Sequence, residues 1–202
     1  MCIIPFPRSL PPRFAAMPPC APVSDAPLRQ ALSDYARRWP DEAGIGLFAE
    51  LLDDAEDPFR RERLAGHFTA SAWLVSADGS RLLMTHHRKL GMWLQLGRHA
   101  DGERDLVAVA LKEAEEESGL SGLRVEPAIF DLDRHWIPEH KGVPGHWHYD
   151  LRFVVHADGE DFVVSDESHD LAWREIGALV DDEGTDPSVR RMARKWLSRV
   201  GR

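Results

Sequence analysis

The sequence predicts a mixed α/β sandwich preceded by a helical extension, and three observations predict it. A run of β-forming residues over 67–77 closes at the turn Asp78-Gly79 and is followed by a second run over 81–87, the pattern of a hairpin. Further strand-like runs, 125–134 and 148–156, come after a polar helix in the middle of the chain. Helical periodicity is confined to the N-terminal part, that one central segment and the C-terminal end, so strands surround a single central helix.

Residues 1–26 form a proline-rich tail: the first 24 residues hold seven of the 14 prolines. Proline and arginine interrupt its apolar stretches, so it reads as a flexible tail rather than a signal peptide, and Met17 offers an alternative start. Residues 27–66 read as a helical extension. Leu28, Leu32, Tyr35 and Trp39 recur at helical spacing after Pro27, and a second helix over 44–53 carries Leu47, Phe48, Leu51 and Leu52. These helices pack against the domain or against a second copy in a homodimer. The main domain spans 67–202. After the hairpin come the basic loop Arg88-Lys89, a segment over 92–96, and the central helix from about Asp105 to Ser118, stopped by Gly119. Beyond it, 125–134 reads as a strand, 135–147 as a loop rich in His, Pro and Gly, and 148–156 as the clearest later strand. A short strand over 162–164, an extended segment over 168–173, a short helix over 175–180 and a closing helix over 187–200 complete the chain.

The composition sets bounds. A chain of 202 residues with 43% hydrophobic residues forms one domain with extensions. A net charge of −9 argues against binding duplex nucleic acid through its phosphates. It leaves small phosphorylated substrates open, because a bound metal reverses the local sign. No apolar run is long enough for a membrane helix. The two cysteines, Cys2 and Cys20, both lie in the tail, which fits a reducing cytoplasm.

The residues that carry chemistry lie between Gly97 and Leu120. Glu113, Glu116 and Glu117 sit at i, i+3 and i+4, one face of a helix, where like charges repel unless a cation fills the face. Oxygen ligands at this spacing suit magnesium or manganese better than zinc. The loop around His135, His140, His146 and His148 has irregular spacing and no cysteine, so it reads as a substrate-recognition surface rather than a zinc site. Trp136 or Trp147 would stack there on a base or sugar.

The segment resembles the Nudix box, the signature of hydrolases acting on nucleoside diphosphates linked to another group. Gly97 and Glu103 match its start; Lys112-Glu113-Ala114, Glu116-Glu117 and Gly119-Leu120 match its end. Three features depart from the pattern. One extra residue separates Glu103 from Lys112, and it fits most easily in the loop over 100–105. Lys112 stands where the family has arginine. Arg98 stands where a second glycine is frequent.

The resemblance implies an α/β/α sandwich with a mixed sheet. It implies a magnesium- or manganese-dependent hydrolase that cuts the pyrophosphate linkage of a nucleoside diphosphate-linked or other diphosphate small molecule, by attack of water on phosphorus. Carried over residue by residue, it makes Glu116 and Glu117 the main metal ligands, with the Gly97 carbonyl. Glu113 becomes a further ligand or the base, Lys112 orients Glu113 by an ion pair, and Glu103 braces the loop–helix junction. Glu167, with Asp166 second, is the candidate for a later acidic ligand. His87, Arg88, Arg98 and His148, with His86 and Lys89, are candidates for substrate contacts. The rival reading is a Nudix-fold ligand-binding or regulatory protein without turnover, supported by the same three departures. An isomerase of this fold would need a core cysteine, and both cysteines lie in the tail.

Overall fold

The computed structural model describes residues 24–87, 91–163 and 168–200. The tail as far as residue 23, with Cys2, Met17 and Cys20, lies outside the described residues, as do Arg88, Lys89, Asp166 and Glu167. The elements are α1 (Ala26–Arg38), α2 (Ile45–Leu52), β1 (His67–Val75), β2 (Arg81–His87), β3 (Met92–Leu94), β4 (Leu96–His99), α3 (Leu106–Ser118), β5 (Arg124–Ile137), β6 (His146–His156), β7 (Ser168–Glu175), α4 (Ile176–Leu179) and α5 (Pro187–Val200). No helix among the described residues is long and apolar enough to cross a membrane.

The seven strands form one mixed sheet in the order β3-β2-β1-β6-β5, with β4 added to β1 and β7 to β2. β1 and β6 run parallel in continuous register from His67↔His148 to Val75↔His156, and the remaining pairs are antiparallel. β1 lies at the centre, and all nine of its residues are buried. Its alternation assigns its two faces. Phe68 and Ala70 pack with Leu106, Val109 and Ala110 of α3, and Ala72 and Leu74 pack with Ala114 of the same helix. Trp73 and Val75 point the other way, onto Val189, Met192, Ala193 and Trp196 of α5. Helices thus cover both faces of a mixed sheet, the expected α/β/α sandwich. Leu32 and Tyr35 of α1 and Phe48, Leu51 and Leu52 of α2 share the core of Phe68, Tyr149 and Phe153, so the extension packs on the chain's own domain.

Three local expectations change. The hairpin opens early: β1 and β2 are paired at Val75↔Leu82, and β4 takes the edge of β1 from Thr69 to Ala72. The segment over 92–96 is two strands broken at Gln95, and the second continues to His99. The loop over 135–147 shrinks, because β5 and β6 stay paired through His135↔His148, Trp136↔Trp147 and Ile137↔His146. Aromatic and β-branched cross-strand pairs extend the ladder until Pro138, which has no N–H to donate. Phe162 and Val163 are not strand.

At the His67 end of the sheet, the face shared with α5 becomes polar. The parallel and antiparallel registers line up His67, His148 and His135, then His99, Thr69, Asp150 and Asp133, then Gly97, Ser71, Arg152 and Asp131. Arg152 is 2% exposed and donates from Nε to Asp150 (2.7 Å), with Asp131 at 3.4 Å and Asp133 at 3.3 Å. Asp150 also accepts from Thr69 Oγ1 (2.8 Å) and Ser71 Oγ (2.9 Å). Asp131, fully buried, meets Arg191 (2.6 Å) and Lys195 (2.7 Å) from α5. Lys195 reaches on to the Tyr35 hydroxyl (2.6 Å) and to Glu42, which fastens the extension to the closing helix.

Two outcomes follow from this network. Lys195→Ala leaves Asp131 and Glu42 short of a buried cation and is expected to cost roughly 3–5 kcal/mol in urea unfolding at neutral pH. A loss below about 1 kcal/mol would show that Lys195 does not clamp α1. Burial would raise the Asp133 carboxyl, but the contact with His135 and the charges of Arg152 and Arg191 outweigh it and hold it well below the usual carboxylate range. A depressed folded pKa stabilises the fold fully above the unfolded value, near 3.9, and that stability is lost progressively as pH falls from there towards and through the lower folded value. Asp133→Asn is therefore expected to be less stable than the parent at about pH 7, with the gap narrowing by about pH 3. An equal gap at both pH values would show that the charge of Asp133 is not its source.

Candidate active site

α3 is set by its ends. Asp105 caps it by accepting from the Ala108 N–H (3.0 Å), and Gly119 closes it at φ 68°, a left-handed conformation that favours glycine. Just before the cap, Glu103 Oε1 accepts from the N–H groups of Arg104 (2.8 Å) and Asp105 (3.0 Å), as expected of a residue bracing the loop–helix junction. The irregular backbone falls in the preceding loop, where Asp101 and Gly102 have φ of 53° and 90°. The helix beyond is continuous, so Glu113, Glu116 and Glu117 keep their spacing.

Those three carboxylates and Gly97 line one cleft of about 900 Å³. Glu113 is 6% exposed, Glu116 is exposed and Glu117 is half-buried. Gly97 faces Ser71 so closely that a Cβ there would lie 2.2 Å from Ser71 Oγ, which excludes any side chain. Arg98, next along β4, alternates to the α3 side. Its guanidinium lies 2.9 Å from Glu116 and 3.4 Å from Glu113. The residue that replaces a glycine in the box thus puts a cation on two of the candidate metal ligands. Lys112 does not orient Glu113. Neighbouring side chains on a helix point about 100° apart, and Lys112 is exposed and pairs with Glu116 one turn on, at 3.5 Å. The donor set of three carboxylates beside a backbone carbonyl fits a hard divalent ion.

Of the substrate-contact candidates, Arg98 and His148 line this cleft. His87 is the last residue of β2, with its backbone in register with Met92 and Ser168. Arg88 lies outside the described residues, and so does Glu167. Trp136 is half exposed at the cleft, whereas Trp147 is covered by Arg134, whose guanidinium carbon lies 3.7 Å from the ring centre.

The cleft also holds residues that the sequence reading did not assign to a site. Asp133, Asp150 and Arg152 form its floor. His148 belongs to a group with His67, His99 and His146. Burial pushes His99 down to about 4 and lowers His67; burial and the neighbouring His99 and His67 take His148 lower still, so these rings are neutral. The alternation His146, His148, Asp150, Arg152 was a legible signal for one polar face of a strand. A strand that begins at His148 leaves only His146 out of that face.

Neither protein-family models nor curated proteins match the chain in sequence. Its fold matches solved structures. A hydrolase of the NUDIX family from Clostridium perfringens superposes with a TM-score of 0.54 at 20% identity, over 66% of this chain and 97% of the other. The dihydroneopterin triphosphate pyrophosphohydrolase of E. coli gives 0.52 at 16% identity, over 65% and 95%. The NUDIX domain of Shewanella oneidensis NrtR, complexed with ADP ribose, gives 0.50 at 17% identity, over 74% and 97%. At these identities the likeness is one of architecture. With the box glutamates of α3 lining a cleft beside Gly97, the chain has the Nudix hydrolase fold.

Proposed function

We propose that the protein is a magnesium- or manganese-dependent hydrolase that cuts the pyrophosphate linkage of a nucleoside diphosphate-linked or other diphosphate small molecule. The observation that carries this reading is the set of Glu113, Glu116 and Glu117 lining one cleft with Gly97. Glu116 and Glu117 are the residues to hold the ion, with the Gly97 carbonyl. When bound, a divalent ion supplies Lewis-acid stabilisation of phosphate charge and lowers the pKa of water. Glu113, the most buried of the three, is the residue to act as a further ligand or as the base that takes the proton of the attacking water. Trp136 offers an exposed ring at the cleft for a base or sugar. ADP ribose, bound in one similar fold, and dihydroneopterin triphosphate, which names the pyrophosphohydrolase of another, support a nucleotide-like diphosphate or triphosphate as the substrate class.

Arg98 favours keeping the rival reading in view, a ligand-binding protein without turnover, because its guanidinium already neutralises Glu113 and Glu116. On the hydrolase reading Arg98 exchanges the carboxylates for substrate phosphate once the metal is held. Arginine suits either partner, since its planar fork matches both carboxylate and phosphate.

A hydrolysis screen over nucleoside triphosphates, sugar nucleotides, dinucleoside polyphosphates and coenzymes, with magnesium and with manganese, tests the reading. At least one substrate is expected to be cleaved only with metal. Glu117→Gln is expected to abolish that activity, and Glu113→Gln to lower kcat by about 10²–10⁴-fold. Full activity of Glu117→Gln would sink the metal assignment, and binding without cleavage across the panel would favour the rival. Arg98→Ala is expected to lower the metal concentration for half-activation while raising KM, since it removes a competing cation and a phosphate contact together. If neither value moves, Arg98 has no part in the site.

A further inference from the structure

Four imidazoles converge at the cleft: one ring nitrogen from each of His67, His99, His146 and His148 lies within 4.8 Å of the others. The approach is closest at His148, whose Nε2 is 3.2 Å from Nε2 of His99 and 3.1 Å from Nε2 of His146. Four nitrogens placed tetrahedrally about a zinc ion, at bonds of about 2.0–2.1 Å, lie about 3.3 Å from one another.

The outward nitrogens are anchored in a way that aims the inward ones. His67 Nδ1 lies 3.2 Å from the Arg63 carbonyl oxygen, and His146 Nδ1 lies 2.8 Å from that of Pro144. A carbonyl meets only a donor, so both rings carry their proton on Nδ1 and turn an Nε2 lone pair inward. A backbone carbonyl on the distal nitrogen is the outer arrangement that fixes the tautomer of metal-binding histidines. His67 is 1% exposed, and its Nε2 has no hydrogen-bond partner among the described residues. Hydrogen bonding among the four rings does not resolve this. His148 Nε2 presents either one proton or one lone pair to two neighbours, and the buried lone pair of His67 still meets no donor.

We propose that His67, His99, His146 and His148 bind a divalent transition-metal ion of the zinc class, at a site separate from the glutamates of α3. Neutral imidazole suits zinc, copper or nickel and is a poor ligand for magnesium, whereas the glutamates have the opposite preference. The strand registers bring the group together. His67 pairs with His148 on the parallel strand, His146 stands two residues before His148 on the same face, and His99 pairs with Thr69, the next inward residue of β1. His99 and His148 line the cleft, which gives an ion a path from solvent. Once bound, the ion joins the starts of β1 and β6 to the end of β4, two residues from Gly97.

The test needs no substrate. Tag-free full-length protein, stripped with chelator and held in excess magnesium, is titrated with zinc against a competing chromophoric chelator, and the loaded protein is examined by X-ray absorption. The expected result is one zinc per chain with a nitrogen shell at about 2.0–2.1 Å and the scattering signature of imidazole. His146→Asn and His99→Asn are each expected to weaken binding by at least about tenfold, while Glu116→Gln leaves it unchanged. Absence of stoichiometric zinc in the parent protein, an oxygen-only shell, or binding that follows Glu116 rather than His146 would overturn the proposal. The stoichiometry and spectrum of the parent protein decide the matter even where a histidine variant fails to fold.

Discussion

A buried guanidinium governs the architecture of the cleft. Arg152 sits near the middle of the sheet at 2% exposure, where an uncompensated charge would carry a desolvation cost of several kcal/mol. Asp131, Asp133 and Asp150 compensate it from two adjacent strands, but they bring more negative charge than one arginine neutralises. Arg191 and Lys195 of α5 supply the balance. Lys195 then draws in Tyr35 and Glu42, so the helical extension is tied to the same network. The closing helix and the extension are thereby held by the residues that make the cleft floor polar. Replacing such a network with apolar residues costs little in many folds. Here it keeps the cleft lined with charged groups.

What was legible in the sequence was what is encoded locally. The caps at Asp105 and Gly119, the spacing of Glu113, Glu116 and Glu117, and the bracing role of Glu103 depend on residues within one helical turn or one loop. The architecture followed from strand and helix periodicity, and from the box. The histidine group was hidden because it is a product of register. His67, His99 and the pair His146 and His148 come from three strands, and only the parallel pairing of β1 with β6 puts the first beside the last. The sequence also gave a misleading neighbourhood: His135 and His140 are nearer to His146 in the chain than His67 is, yet neither joins the group. The partner of Lys112 was misassigned for a simpler reason. Adjacent residues on a helix face different directions, and the resemblance to the box carried an expectation that the 3.6-residue period does not support for this lysine.

The four residues of β4 bring two different side-chain groups, carboxylates and imidazoles, to one cleft. Strand alternation sends Gly97 and His99 to the polar face and Arg98 to the side of α3. Gly97 must lie against Ser71 without a side chain, and Ser71 in turn donates to Asp150, the partner of Arg152. The position of β4 is therefore set by the same buried network that forms the floor. A one-residue slip of this strand would turn Arg98 onto Ser71 and Thr69 and remove His99 from the other histidines, because the side-chain period of a strand is two. The slip is opposed on both faces at once: sterically at Gly97, and electrostatically at Arg98, which pairs with Glu113 and Glu116. The register of this one short strand therefore sets Arg98 beside the carboxylates of α3 and His99 among the imidazoles of the sheet.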